Sequence, residues 1–452
     1  MIRSGLKSYR ACRRRVGDAL SARDYYGAIQ MLIAIAYVLG ITPFVVTHSA
    51  KGESGMQQSW YGFVNAISRW VLLAYCYTYI NLHNESLIGY FMRNRISQFS
   101  TRLHNICGIW SAVFTFIMPL LLRRHLQRFI EDVMEVDRRL DRLRHPVNFN
   151  AVFGVATLVL ALVALLDTII TVTCLVCLAQ MEVRASWQLI FILVYELMAI
   201  SMTIVMFSLI TRTVQRRLNY LHTVLKNLSH QWDSHSLKGV VQKQRSLQCL
   251  DSFSMYTIVT KDPAEIIQES MEIHHLICEA AATANKYFTY QLLTIISIAF
   301  LIIVFDAYYV LETLLGKSKR ESKFKTVEFV TFFSCQMILY LIAIISIVEG
   351  SNRAIKKSEK TGGIVHSLMN KTKSPEVKEK LQQFSMQLLH LKINFTAAGL
   401  FNIDRTLYFT ISGALTTYLI ILLQFTSNSP HNSNGNYYSC CETFNNITNH
   451  TN

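Results

Sequence analysis

The chain has 452 residues, 51% hydrophobic and only 16% charged, with a net charge of +15. A soluble chain of this length carries about 25% charged residues over several domains. Here the apolar residues fall in long blocks, so one membrane domain is the expected class. The basic excess sits in loops beside those blocks, without a phosphate-cradling glycine loop or an aromatic-interleaved basic platform, which excludes nucleic-acid binding through the basic loops.

In chain order, residues 1–27 carry seven Lys/Arg against two acids and form a basic cytoplasmic tail by the positive-inside rule. The apolar run after it lacks a small-residue cleavage site, so no cleavable signal peptide is expected. Residues 28–47 are apolar but broken by Gly40 and Pro43, the mark of a re-entrant or interfacial segment. Residues 62–82, rich in Tyr75, Tyr77 and Tyr79, and residues 106–122, with Pro119 near the end, are predicted as the first two crossings. Residues 123–150 carry seven basic residues and a helical apolar spacing at Phe129, Ile130, Val133, Val136, Leu140 and Leu143. Residues 151–179 and 187–210 then form a helical pair, closing a unit over 28–210.

A long polar stretch, 211–289, has nine basic and seven acidic residues, with apolar positions recurring helically at Leu218, Leu221 and Leu225 and again over 266–277. It is predicted as a cytoplasmic helical extension. Residues 290–348 supply crossings five and six (290–315 and 327–348). Residues 349–404, with nine Lys/Arg, form a second extension. Residues 405–425 are the seventh crossing, and 426–452 form a tail with no Lys or Arg.

Parity decides the topology. An inside start and a tail bearing sequons at Asn446 and Asn449 outside require an odd number of crossings. Setting aside 28–47 gives seven and places a further sequon, Asn84, outside. Setting aside 106–122 instead also gives seven, and that alternative stays open. Five basic residues in the loop 316–326 fall outside and dissent from the charge rule. The predicted fold is an all-α membrane protein: seven transmembrane helices, N-terminus cytoplasmic, C-terminus extracellular, a re-entrant or interfacial N-terminal segment, and cytoplasmic helical extensions forming an anchor.

Charges at membrane depth are costly and mark candidate functional positions. Asp167, Glu196, Asp306 and Glu312 qualify, and Asp306 stands beside Tyr308 and Tyr309. Carboxylates with aromatics suit a small ligand through stacking and hydrogen bonding, or else pair with a neighbouring helix for packing. Glu349 ends one crossing and Asp404-Arg405 begins the last at the same depth, so a Glu349–Arg405 ion pair is a candidate coupling. Cys174 and Cys177 form a lone CxxC inside an apolar helix and read as packing residues; Cys440 and Cys441 are candidates for external disulfides with unknown partners. His274-His275 have neither nucleophile nor metal spacing nearby. No catalytic, metal or cofactor site is expected, and the chain is not expected to be an enzyme.

The last crossing, 407–425, is uncharged and long enough to span about 30 Å as a helix. Thr417-Tyr418, five apolar residues, then Gln424-Phe425 resembles the signature of the last helix of insect gustatory receptors. The lead-in TAAGLFNIDRTL, the run YFTYQLLTIISIAFLIIVFDAYYVLETLL and IVEGSNRAI resemble the same family, nearest to the subgroup with sensory roles beyond taste. The resemblance implies a ligand-gated, non-selective cation channel of four identical or related subunits. It places a pore on the last helices, with Gln424 and Phe425 as gate, Ile421 one turn below, and Thr417 and Tyr418 positioning the helix. It also places a pocket for a small-molecule ligand in the outer half of each helical bundle. The implied partners are like subunits, the ligand, monovalent and divalent cations and membrane lipid. The implied location is the plasma membrane of sensory neurons. Taste compounds, bitter or nutrient, with warmth or light, are the implied stimuli. Two other classes remain: a seven-helix G-protein-coupled receptor, whose N-terminus would lie outside, and a transporter, which would show internal repeats with broken helices.

Overall fold

A computed structural model describes residues 24–48, 54–85, 95–180, 185–242, 262–315 and 326–427. The chain opens with helix α1 (Tyr25–Val38), a hairpin of β1 (Phe44–His48) and β2 (Ser54–Gln58), and helix α2 (Trp60–Leu82). Next come α3 (Arg95–Ala112), a π-helical turn (Val113–Ile117), short α4 (Met118–Leu121) and α5 (Arg123–Arg142). Four long helices follow: α6 (Phe149–Gln180), α7 (Trp187–Gln242), α8 (Pro263–Leu314) and α9 (Thr326–Lys371). Helix α10 (Pro375–His390), a two-residue hairpin of β3 (Thr396–Ala397) and β4 (Phe401–Asn402), and α11 (Thr406–Ser427) complete the described chain. The two hairpins are additions to the all-helical expectation.

Among the described residues, six helical stretches are long and apolar enough to cross a membrane: Ile96–Leu121, Phe149–Gln180, Trp187–His230, Pro263–Leu314, Val327–Lys371 and Thr406–Phe425. Helix α2 has 23 residues and the length for a crossing, but its tyrosines and asparagines keep it less apolar.

Helices α7, α8 and α9, of 56, 52 and 46 residues, run to about 84, 78 and 69 Å at a rise of ~1.5 Å per residue. Each is more than twice the ~30 Å hydrocarbon thickness. The boundaries expected near residues 210, 289 and 348 are therefore changes of side-chain polarity inside unbroken helices. With no proline there, nothing interrupts the backbone hydrogen bonds as a helix leaves an apolar medium. The second crossing likewise starts earlier than its apolar run, at Arg95, and its register shifts through the π-helical turn just before Pro119, which cannot donate a backbone hydrogen bond.

The long helices extend past the bundle at one end, where the other amphipathic elements gather. On α5, Leu126, Phe129, Ile130, Val133, Val136 and Leu140 are buried, as its spacing predicts. Its Arg139 pairs with Glu272 of α8 and with Glu135 one turn back. Helix α10 is tied to α8 by Gln387 Nε2 donating to the Met271 carbonyl at 3.0 Å and Lys380 Nζ donating to Gln268 at 3.3 Å. Between α7 and α9, His222 and Thr361 share a buried hydrogen bond of 2.8 Å.

Helix α1 begins at this extended end. Tyr25 Oη lies 3.3 Å from Thr213 Oγ1, and its ring sits 5.1 Å from the Arg217 guanidinium. Its far end reaches deeper into the bundle, where Tyr195 Oη donates to the Leu39 carbonyl at 2.6 Å. The β1–β2 hairpin then leads back, and Gln58 accepts from Arg123 Nε at 3.3 Å at the start of α5.

Candidate functional site: an acidic cavity and an uncovered last helix

At the end of the bundle opposite the extensions, α2, α3, α6, α7, α8 and α9 enclose a mostly apolar cavity of about 130 Å³. Its polar wall includes Glu85, His104, Glu196, Asp306, Gln336 and Tyr340, and its aromatic wall Phe305 and Phe333. Glu196 accepts from Tyr77 Oη at 2.5 Å, and the Ser111 hydroxyl is a further partner. That contact depends on a glycine. A β-carbon at Gly108 would stand 2.1 Å from Tyr77 Oη, so only a bare backbone lets the tyrosine pass α3 to reach the carboxylate. Asp306 is 3% exposed, and its Oδ2 has no hydrogen-bond partner among the described residues.

The structure divides the carboxylates and aromatics singled out in the sequence. Glu196 and Asp306 share the cavity. Asp167 lies outside its wall, accepting from Ser201 Oγ at 2.9 Å to join α6 to α7. Tyr308 and Tyr309 stand behind the wall rather than in it. Their rings are 5.4 Å apart, and Tyr309 meets Phe333 at 5.4 Å within an aromatic cluster. Glu312 is hydrogen-bonded to Tyr308. Sequence reasoning missed His104, Tyr340 and Glu85 as cavity groups, and Tyr77 as the partner of Glu196. They come from α2 and the residues just past it, from α3 and from α9, and only the packing of six helices brings them together. The tyrosine-rich run of α2 was the one available signal.

Helix α11 is the second feature. Its core-facing side, with Ile411, Leu415, Leu419, Leu422 and Leu423, packs against the bundle, and Tyr418 meets Phe300 of α8 with ring centroids 6.0 Å apart. Only 6% of its apolar window is buried. Thr410, Gly413, Thr417, Ile421 and Gln424, spaced by three or four residues, lie along one exposed face. The Thr410 and Thr417 hydroxyls bond to carbonyls one turn back, at 3.3 and 2.9 Å. Phe425 is 68% exposed beside Gln424.

The lead-in to α11 is held on α8. Asn285 brackets Thr396, accepting from its N–H at 3.1 Å and donating to its hydroxyl at 3.3 Å, while Thr289 Oγ1 accepts from the Ala398 N–H at 2.8 Å. Ala398 and Gly399, at φ 50° and 72°, make the tight turn between β3 and β4. At the foot of α11, Arg405 Nε and Nη2 donate to the two oxygens of Glu349 at 2.9 and 3.1 Å. Asp404 caps the helix, accepting from the Thr406 N–H at 2.8 Å. Arg405 holds the Glu349 carboxyl below the usual range through that hydrogen bond. Asn84 is exposed at the end of α2. Asn446, Asn449, Cys440 and Cys441 lie outside the described residues, as does nearly all of the basic loop 316–326.

The profile of the 7tm Chemosensory receptor family matches residues 29–429. A Drosophila melanogaster protein carrying the name gustatory receptor 28b is 59% identical over 441 residues, covering 97% of this chain and 94% of the relative. The chain belongs to the insect gustatory receptors. A second relative, gustatory receptor 28a of the same fly, is 31% identical over 89% of the chain and 92% of its own length. The olfactory receptor OR5 of Machilis hrabei, solved alone and in complex with eugenol, shares the fold, with a TM-score of 0.60 at 12% and 13% identity. The alignment covers 88% of this chain and 97% of the olfactory receptor in the first of these structures. This gustatory receptor is thus a multi-pass membrane protein and a receptor, not an enzyme.

Proposed function

We propose that this gustatory receptor is a subunit of a ligand-gated, non-selective cation channel of four identical or related chains, opened by a small molecule bound in the acidic cavity. The observation that carries the reading is α11. A helix 6% buried, with a stripe of Thr410, Gly413, Thr417, Ile421 and Gln424, leaves a glutamine amide facing outward. Hydrocarbon offers that amide no hydrogen bond, so facing lipid is the costly arrangement. Around a common axis the same stripe lines a narrow pore, with Gln424 and Phe425 as its gate. Tyr418 and Thr417 position the helix.

The extended end is then the cytoplasmic anchor, with the N-terminus inside, α1 and its hairpin re-entrant, and the C-terminal tail outside. The Glu349–Arg405 pair links α9, which also walls the cavity, to the foot of the pore helix, a direct route from binding to gate. Expression in the plasma membrane of sensory neurons, with taste compounds as stimuli and warmth or light as further ones, completes the proposal.

Whole-cell current from cells expressing the chain alone, wild type against Gln424→Ala, tests it. Stimulated cation current with altered permeation or gating in the variant is the expected result. A response that requires a G protein and is indifferent to Gln424 overturns it.

A further inference from the structure

Building on the cavity as the stimulus site, we infer that its ligand is a compact organic cation, an ammonium with an apolar body. Asp306 is nine-tenths buried and lines the cavity with an unpartnered Oδ2. A lone buried carboxylate is costly unless a countercharge meets it. Glu85 faces the same space with its own buried, unpartnered Oε2, and Glu196 is held in place by Tyr77. Among the described residues no lysine or arginine lines the wall, and His104 is the one imidazole. A cation entering this space meets carboxyl groups and no competing positive side chain, whereas a carboxylate or phosphate finds no positive partner there.

The spacing of these groups selects among cations. Among the described residues no cluster of acids, histidines and cysteines is tight enough to hold a metal ion. Instead the carboxylates stand apart, one just past α2 and the others on α7 and α8, around a mostly apolar space. Phe305, Phe333 and Tyr340 contribute rings, whose faces attract a diffuse positive charge. At about 130 Å³ the cavity matches one ring or a branched ammonium head, since a cavity of roughly 150 Å³ accepts benzene. Asp306 supplies the direct countercharge and the aromatic rings enclose the apolar part.

The test uses two probes of one shape, choline and 3,3-dimethylbutan-1-ol, in which carbon replaces the charged nitrogen. Binding to the purified full-length receptor in detergent is measured directly, independent of any current. Choline is expected to bind about thirty-fold tighter than its neutral isostere, the factor expected of a close, desolvated charge pair with Asp306. Asp306→Asn, similar in shape, is expected to bring that ratio close to one while leaving the neutral probe's affinity in place, which also shows the variant is folded. Tyr340→Leu is expected to reduce the ratio partially.

Equal binding of the two probes to the wild type, binding of neither, or a preference untouched by Asp306→Asn overturns the inference. Currents separate this from the channel proposal. If neutral compounds gate a Gln424-sensitive current while choline shows no preference, the cation inference falls and the channel stands. Selective choline binding with no current under any stimulus has the opposite meaning.

Discussion

Arg217→Met isolates the most buried ion pair of the extended end. Arg217 and Asp137 have side chains 1% and 8% exposed, joined by two hydrogen bonds, Nε to Oδ1 at 3.0 Å and Nη2 to Oδ2 at 2.7 Å. Nη1 has no oxygen partner among the described residues; the Tyr25 ring, 5.1 Å from the guanidinium, takes that side. Removing the arginine leaves a carboxylate uncompensated in a packed interior, at a cost of about 3–5 kcal/mol. A folded protein is stable by only about 5–15 kcal/mol, so the single change removes a large part of it. Asp137→Leu alone, which strands the guanidinium, is expected to cost as much. The double variant Asp137→Leu, Arg217→Met restores an apolar contact and should fall within about 1 kcal/mol of wild type or be more stable. Equilibrium unfolding of the purified receptor in micelles reads all four forms. Strictly additive losses, or single losses below about 1 kcal/mol, would refute the account of a tightly coupled pair.

Acidification gives a second expectation. Burial, with Lys357 and Lys226 nearby, holds the His222 imidazole down to about 4, and burial holds His274 down to about 4 as well. Both are neutral in the fold and charge readily when unfolded. Their contribution is therefore complete above about 6.5 and lost as pH falls toward 4, by up to about 3 kcal/mol each. Burial raises Asp132 to about 6, and this carboxyl acts in the opposite sense, gaining stability as pH falls. The melting curve of wild type minus His274→Asn between pH 7 and 5 isolates the histidine; a flat difference contradicts it. The Glu349–Arg405 link should persist as pH falls through the ordinary glutamate range and be lost only below it. In patches with the extended end exposed, Glu349→Ala and Arg405→Ala should shift gating alike and the double variant no further; a double variant with wild-type gating refutes the coupling. Gly108→Ala should push Tyr77 off Glu196 and weaken responses to stimulus, while having no added effect in a Tyr77→Phe background; unchanged dose–response in wild type would show that the contact is unimportant. Finally, Asn84→Gln should remove one endoglycosidase-sensitive mass increment, whereas an unchanged mass places the end of α2 inside.

Much of the architecture was legible because apolar blocks and basic loops carry it locally. The amphipathic spacing of α5 gave its buried face, and the broken run at Gly40 and Pro43 marked where α1 gives way to the β1–β2 hairpin. The TY and QF pair and the lead-in to α11 pointed to the family. The Glu349–Arg405 juxtaposition was readable from shared depth at the ends of two apolar runs. Less was legible wherever meaning depends on which helix lies next to which. Asp306, Tyr308 and Tyr309 are neighbours in sequence, yet a helix turns each residue about 100° from the last, so the acid lines the cavity and the two tyrosines pack behind it.

The sequence by itself determined the class, the apolar runs, the basic end and the family, because hydropathy and charge are properties of single residues and short windows. The tertiary structure alone decided that polarity changes fall inside unbroken helices, that Arg217 finds Asp137 across 80 positions, and that Tyr77 slips past Gly108 to Glu196. It also decided that α11 presents its Gln424 face outward. These are outcomes of packing, in which a side chain's role is set by the distant atoms that fill the space around it.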